Sequence, residues 1–116
     1  MASSICTSTL VGAESRPVTI ESDMSNSLPA TVIVGLGDKA VSEAKERIRS
    51  AIKNSGLENP RKRITINLSP ADLPKDGSHY DLGMALSILL LSKQIPDRCL
   101  DNTLVLGELG LDGTVR

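Results

Sequence analysis

The spacing of apolar residues along the chain changes period several times, and each change marks an element. Pro17 to Ser22 sets Val18 and Ile20 against Thr19 and Glu21, the two-residue alternation of a half-buried strand. Ser4 to Val11 is a second, weaker strand pattern rich in Ser and Thr. Ala30 to Leu36 carries the β-branched run Thr31-Val32-Ile33-Val34, which suits a strand buried on both faces. With a turn at Ser25-Asn26-Ser27, these three segments predict a meander. Val41, Ala44, Ile48, Ala51 and Ile52 then repeat at spacings of three and four, giving a helix with one apolar stripe. Asp38 is placed to cap its start, and Gly56 suits a left-handed position at its end.

Arg63 to Ser69 alternates again, with Ile64, Ile66 and Leu68 on one side. A polar loop, Ser69 to Gly77, leads to a second helix from His79 to Lys93, which Ser78 and Asp81 open in the manner of a capping box. Met84, Leu86 and Ile88 to Leu91 surround this helix with apolar surface and make it the central buried one. Beyond Pro96, Thr103 to Leu106 reads as a strand, and Gly113 to Arg116 as the entry to another. The order βββ-α-β-α-β(β) gives an α/β (α+β) fold class: a mixed β-sheet with helices packed on one face.

Composition changes this picture in two respects. The chain has 116 residues, the size of one small domain, with 40% hydrophobic and 23% charged residues, values ordinary for a globular protein. Aromatic content is only 1%, which is Tyr80 alone. The core must therefore be aliphatic, and modules that stack bases on aromatic platforms are disfavoured. Net charge is -1, so the whole chain is not a basic nucleic-acid binder. Yet residues 45–63 hold seven positive and two negative charges, a net of +5, leaving -6 elsewhere. Arg47, Arg49, Lys53, Arg61, Lys62 and Arg63 are the candidate contacts for DNA or a partner. A solvated helix face followed by a turn is the competing reading.

Two cysteines far apart and a single histidine exclude a conventional zinc site and imply reduced thiols. Met1 to Gly12 lacks the features of a signal peptide. The longest charge-free run after Asp81, Leu82 to Ser92, is too short to span a bilayer. A cytoplasmic protein without membrane contact is expected.

Gly35-Leu36-Gly37-Asp38-Lys39-Ala40 matches the opening of a dinucleotide fold, but the acid expected on the next strand is missing, since Glu58 falls in the loop before it. A tight strand-to-helix turn explains the glycines. No phosphate-cradling P-loop motif occurs, so the chain carries no argument for ATP hydrolysis and no cofactor is expected in it. His79 with Ser78 or Ser69 is a weak candidate for acyl-transfer chemistry. Asp72, Asp76 and Asp81 lack the spacing of a calcium loop.

The run GLGDKAVSEAKERIRSAIKNSGLENPRKRITINLSPADLPKDGSHYDLGMALSILL, followed by LVLGELGLDGTVR, resembles the N-terminal domain of the magnesium-chelatase-like AAA+ ATPases, the YifB/ComM family. The resemblance runs from about Val18 to Arg116. Gly83 stands where the family pattern has proline. The resemblance implies a fold similar to the proteolytic domain of Lon and to the second domain of ribosomal protein S-five. In Lon a motif like Pro74-Lys75-Asp76-Gly77 precedes the catalytic serine, but His79 occupies that position here, and the partner lysine would fall past Arg116. A Ser-Lys dyad is thus not expected. The resemblance further implies that residues 1–116 form a single N-terminal domain lacking its last strand and helix. The AAA+ module, with its ATP and Mg2+, would lie in the rest of the parent polypeptide. That parent would assemble as a homo-oligomer, commonly a hexamer, and act as a DNA branch-migration motor. On this view the present chain supplies subunit-assembly or DNA contacts without catalysis. A residual Lon-like hydrolase and a magnesium-chelatase-type chaperone ATPase subunit are the alternatives.

Overall fold

A computed structural model describes every residue of the chain except Met1, Pro74 and Asp76. Two members of the 74–77 motif therefore lie outside the described residues. The elements run β1 (Ala2–Val11), β2 (Glu14–Ser25), β3 (Ala30–Val34), α1 (Asp38–Asn54), β4 (Arg63–Ser69) and α2 (Asp81–Leu91). β1 and β2 form an antiparallel hairpin about a two-residue turn, in which Gly12 takes φ +64. β2 pairs antiparallel with β4, and β4 pairs parallel with β3. The spatial order is β1-β2-β4-β3, a mixed sheet.

Alternation sends one side of every strand inward. Ile5, Ile20 and Leu68 stand opposite one another across three strands, as do Ser22, Ile66 and Ile33. All six are buried. Both helices cover this face: α2 packs on β1 and β2, α1 on β3, and the helices pack on each other. α1 buries Ala44, Ile48, Ala51 and Ile52, the stripe read from its spacing. Each isoleucine removed from water in this way contributes roughly 1.5–3 kcal/mol. α2 is buried along most of its length, as its all-round apolar surface predicts. The core is aliphatic apart from Tyr80, which is fully buried at the start of α2.

Several local expectations are corrected. The first three strands do not form a meander, because β4 inserts between β2 and β3. The crossover through α1 makes β3 parallel to β4 and lays the apolar stripe of α1 on the sheet. β3 is consequently an edge strand rather than one buried on both faces: Ile33 is buried, but Ala30 and Val34 are exposed. Asp38 does not cap α1. Gly37 occupies that position without a side-chain bond, and Asp38 is the first helical residue, where its charge still favours the helix dipole.

α2 begins at Asp81 rather than His79 and has no capping box, because the Asp81 carboxylate turns to another partner. It ends at Leu91, where Lys93 takes φ 58 and the Gln94 N–H donates to Leu89 O at 2.9 Å. Thr103 to Leu106 contributes only a parallel bridge between Leu104 and Cys6. Gly113 to Arg116 contributes only an antiparallel bridge between Val115 and Leu109. Gly56 does end α1 in the left-handed region, at φ +76.

Gly35 shows why the turn before α1 needs glycine. Its φ is +104, and an added Cβ would lie 2.7 Å from Leu68 O. Gly83 likewise lets the first turn of α2 approach the sheet, since a Cβ there would meet Ile20 Cδ1 at 2.5 Å.

Candidate partner-binding surface

The seven cations of residues 45–63 separate into distinct environments. Arg47 leaves the surface group. Its Nε donates to Asp81 Oδ2 at 2.6 Å and its Nη2 to Asp81 Oδ1 at 3.0 Å, a bidentate pair between α1 and α2. Asp81 is 1% exposed and also accepts the Leu109 N–H at 3.2 Å, so one carboxylate ties both helices to the 107–116 hairpin. The Asp81 hydrogen bond raises the Arg47 pKa above its ordinary value, against the opposing effect of partial burial. The guanidinium is therefore permanently charged and already paired.

Lys45, Arg49, Arg61 and Lys62 instead converge on a groove of about 510 Å³ between α1, the exposed edge of β3 and the 59–62 loop. Its floor includes Ile33, Ile48 and Ile88. Lys53, in the last turn of α1, and Arg63, at the start of β4, stay outside the lining. Among the described residues, none of Lys45, Arg49, Lys53, Arg61, Lys62 or Arg63 makes an ion pair. A concave surface bearing one sign of charge over low-dielectric walls concentrates its field and attracts anions.

Residues that the charge pattern does not single out hold this rim in place. Asn59 Nδ2 donates to Arg49 O at 3.1 Å, joining the loop to α1. Gln94 accepts from the Glu58 N–H at 2.8 Å and donates to Glu58 O at 2.7 Å. The Ala30 N–H reaches Lys62 O at 3.4 Å. Nothing local in the sequence marks Gln94, because its partner is 36 positions away.

The weak catalytic candidates do not come together. His79 Nε2 donates to Ser8 O at 2.8 Å, since a carbonyl oxygen can only accept, and its ring lies 4.0 Å from that of Tyr80. Among the described residues no hydrogen bond joins His79 to the hydroxyl of Ser78 or Ser69. Ser78 serves through its carbonyl, which accepts the Asp81 N–H at 3.2 Å. Lys75 is buried, and its Nζ donates to Pro70 O at 2.6 Å and Leu73 O at 2.9 Å, closing the loop. Cys6 and Cys99 are free and exposed. Among the described residues no group of His, Cys, Asp or Glu could hold a metal ion, and no helix is long and apolar enough to cross a membrane.

Comparison with known proteins places this architecture. The uncharacterized protein YifB of Escherichia coli is 48% identical over 106 residues, covering 91% of this chain. The uncharacterized protein Rv2897c of Mycobacterium tuberculosis is 46% identical over 105 residues, or 90% of this chain. Competence protein ComM of Haemophilus influenzae is 44% identical over 106 residues, again 91%. In each case the match spans only 21% of the relative's length. The model of the family described as subunit ChlI of Mg-chelatase matches residues 20–116, from the second half of β2 to the final hairpin. The chain belongs to this magnesium-chelatase-like family.

Proposed function

We propose that this chain is a non-catalytic accessory domain of a magnesium-chelatase-like AAA+ ATPase that works on DNA as a ring. Its basic surface supplies contacts to the phosphodiester backbone. The carrying observation is that Lys45, Arg49, Arg61 and Lys62 share one concave surface with no carboxylate partner among the described residues. ATP and Mg2+ belong to an AAA+ module outside residues 1–116. Phosphate contact suits a surface without aromatic residues, because it requires charge and no stacking. A second reading, contact with a neighbouring subunit through the same surface, is favoured by the apolar floor of the groove. A hydrolase reading lacks a hydroxyl bonded to His79.

The test is charge reversal in the full-length protein. Arg49→Glu, Arg61→Glu and Arg63→Glu together should weaken DNA binding and flatten its dependence on salt, since each lost phosphate contact lowers the slope by about 0.9. Arg47 is left untouched because it is committed to Asp81. Unchanged DNA affinity together with unchanged ring assembly would overturn the proposal.

A further inference from the structure

The groove has three properties, and a nucleic-acid backbone would use only one of them. The first is charge: Lys45 and Arg49 rise on one side, Arg61 and Lys62 on the other. The second is an apolar floor, where Ile33, Ile48 and Ile88 lie at the bottom of the cleft. The third is the edge of the sheet itself. β3 pairs with β4 alone and ends the strand order, so its other side offers main-chain donors and acceptors that no strand takes up among the described residues. Exposed Val34 and Leu28 flank that edge, at 51% and 86% exposure.

A phosphodiester backbone would answer the cations but leave the apolar floor and the strand edge unused. An extended polypeptide engages all three features. Its main chain continues the sheet, and alternate side chains turn toward the helical face. One apolar side chain reaches the floor, while acidic side chains two positions to either side meet the rim. An edge this open is also a hazard unless it is covered, since unpaired edges recruit strands indiscriminately. The cations then act as the filter, admitting acidic segments and repelling basic ones.

We infer that the β3 edge and its groove accept an extended acidic segment of a partner polypeptide as an added strand. The recognised pattern is an apolar residue flanked on the same face by two carboxylates. The inference rests on the second reading of this surface, contact with a neighbouring polypeptide. Asn59 and Gln94 hold the rim of the groove, through Arg49 O and Glu58 O.

The probe is a fluorescent peptide with the core Glu-Thr-Val-Thr-Glu, titrated into the 116-residue chain. Binding is followed by anisotropy and by amide chemical shifts. The expected result is saturable binding that weakens with salt and shifts the amides of Ala30 to Val34. Arg49→Glu with Arg61→Glu should weaken it at least about tenfold. A peptide N-methylated at every backbone nitrogen of the core should not bind, because it cannot donate to the edge in either register. Equal binding of the N-methylated peptide, or of a Lys-Thr-Val-Thr-Lys peptide, would overturn the inference.

A mixed-sequence DNA oligonucleotide that displaces the peptide and shifts the same amides would also overturn it, while leaving the proposed function standing. Peptide binding accompanied by charge reversal that alters neither DNA affinity nor ring assembly would sink the proposed function and leave this inference intact.

Discussion

Arg47 and Arg49 stand two positions apart on α1 and end in opposite surroundings. Arg47 faces α2, where a buried carboxylate takes two of its hydrogen bonds, and its side chain is only 21% exposed. Arg49 lines the groove beside β3, where no carboxylate among the described residues pairs with it. A rotation of about 200° around the helix separates the two, since successive residues advance about 100°. The same residue type therefore serves as an internal tie in one region and as an exposed charge in the other. The lesson concerns charge runs: a net of +5 in the sequence overstates the surface charge by the cation that the fold consumes.

This contrast is breakable at its strongest point. Asp81→Ala should cost about 3 kcal/mol, because it strands a half-buried guanidinium and the Leu109 N–H together. Urea denaturation measures this loss, and a cost below about 1 kcal/mol would mean that the junction contributes little. Arg47→Met combined with Asp81→Leu should recover much of the loss, as an apolar replacement leaves no charge unpaired.

A backbone control comes next. Gly35→Ala should destabilise by about 2 kcal/mol, through its positive φ and the clash with Leu68 O. Arg49→Ala, on the exposed side, should stay within about 0.5 kcal/mol of the parent in the same assay. A larger loss would show that Arg49 also has a structural role.

The smallest effect lies at the hairpin that Asp81 anchors. Asp112 accepts from the Thr114 N–H at 3.0 Å, and hydrogen bonding by Thr114 holds its carboxyl below the usual carboxylate range. That contribution is present above the ordinary aspartate pKa and is lost as pH falls through the lower folded value. A lower protection factor for the Thr114 amide in acid, with unchanged protection factors in β4, is the expected signature.

Much of the architecture was legible because it rests on periodicity. The α1 stripe, the β4 alternation and the all-round apolar α2 each follow from spacing, and each is buried as spacing requires. The meander and the doubly buried β3 were misread, since β-branched composition does not reveal which strand lies beside which. Capping was misread at Asp38 and at Ser78 with Asp81 for a related reason. An acidic residue near a helix start satisfies the local rule, whereas Asp81 has a stronger partner 34 positions away. The basic groove was half legible: its cations were marked by charge, but Asn59 and Gln94, which set its rim, carry no local signal.

The sequence by itself determined the helices, the aliphatic core, the lack of aromatic stacking surfaces and the basic segment, because these depend on residue type and near-neighbour spacing. Tertiary structure alone decided that β4 separates β2 from β3, that β3 ends the strand order among the described residues, and that Arg47 is spent on Asp81 while Arg49 stays exposed. Those outcomes depend on which distant groups a crossover brings within hydrogen-bonding reach, and that is a property of the packed sheet rather than of any segment within it.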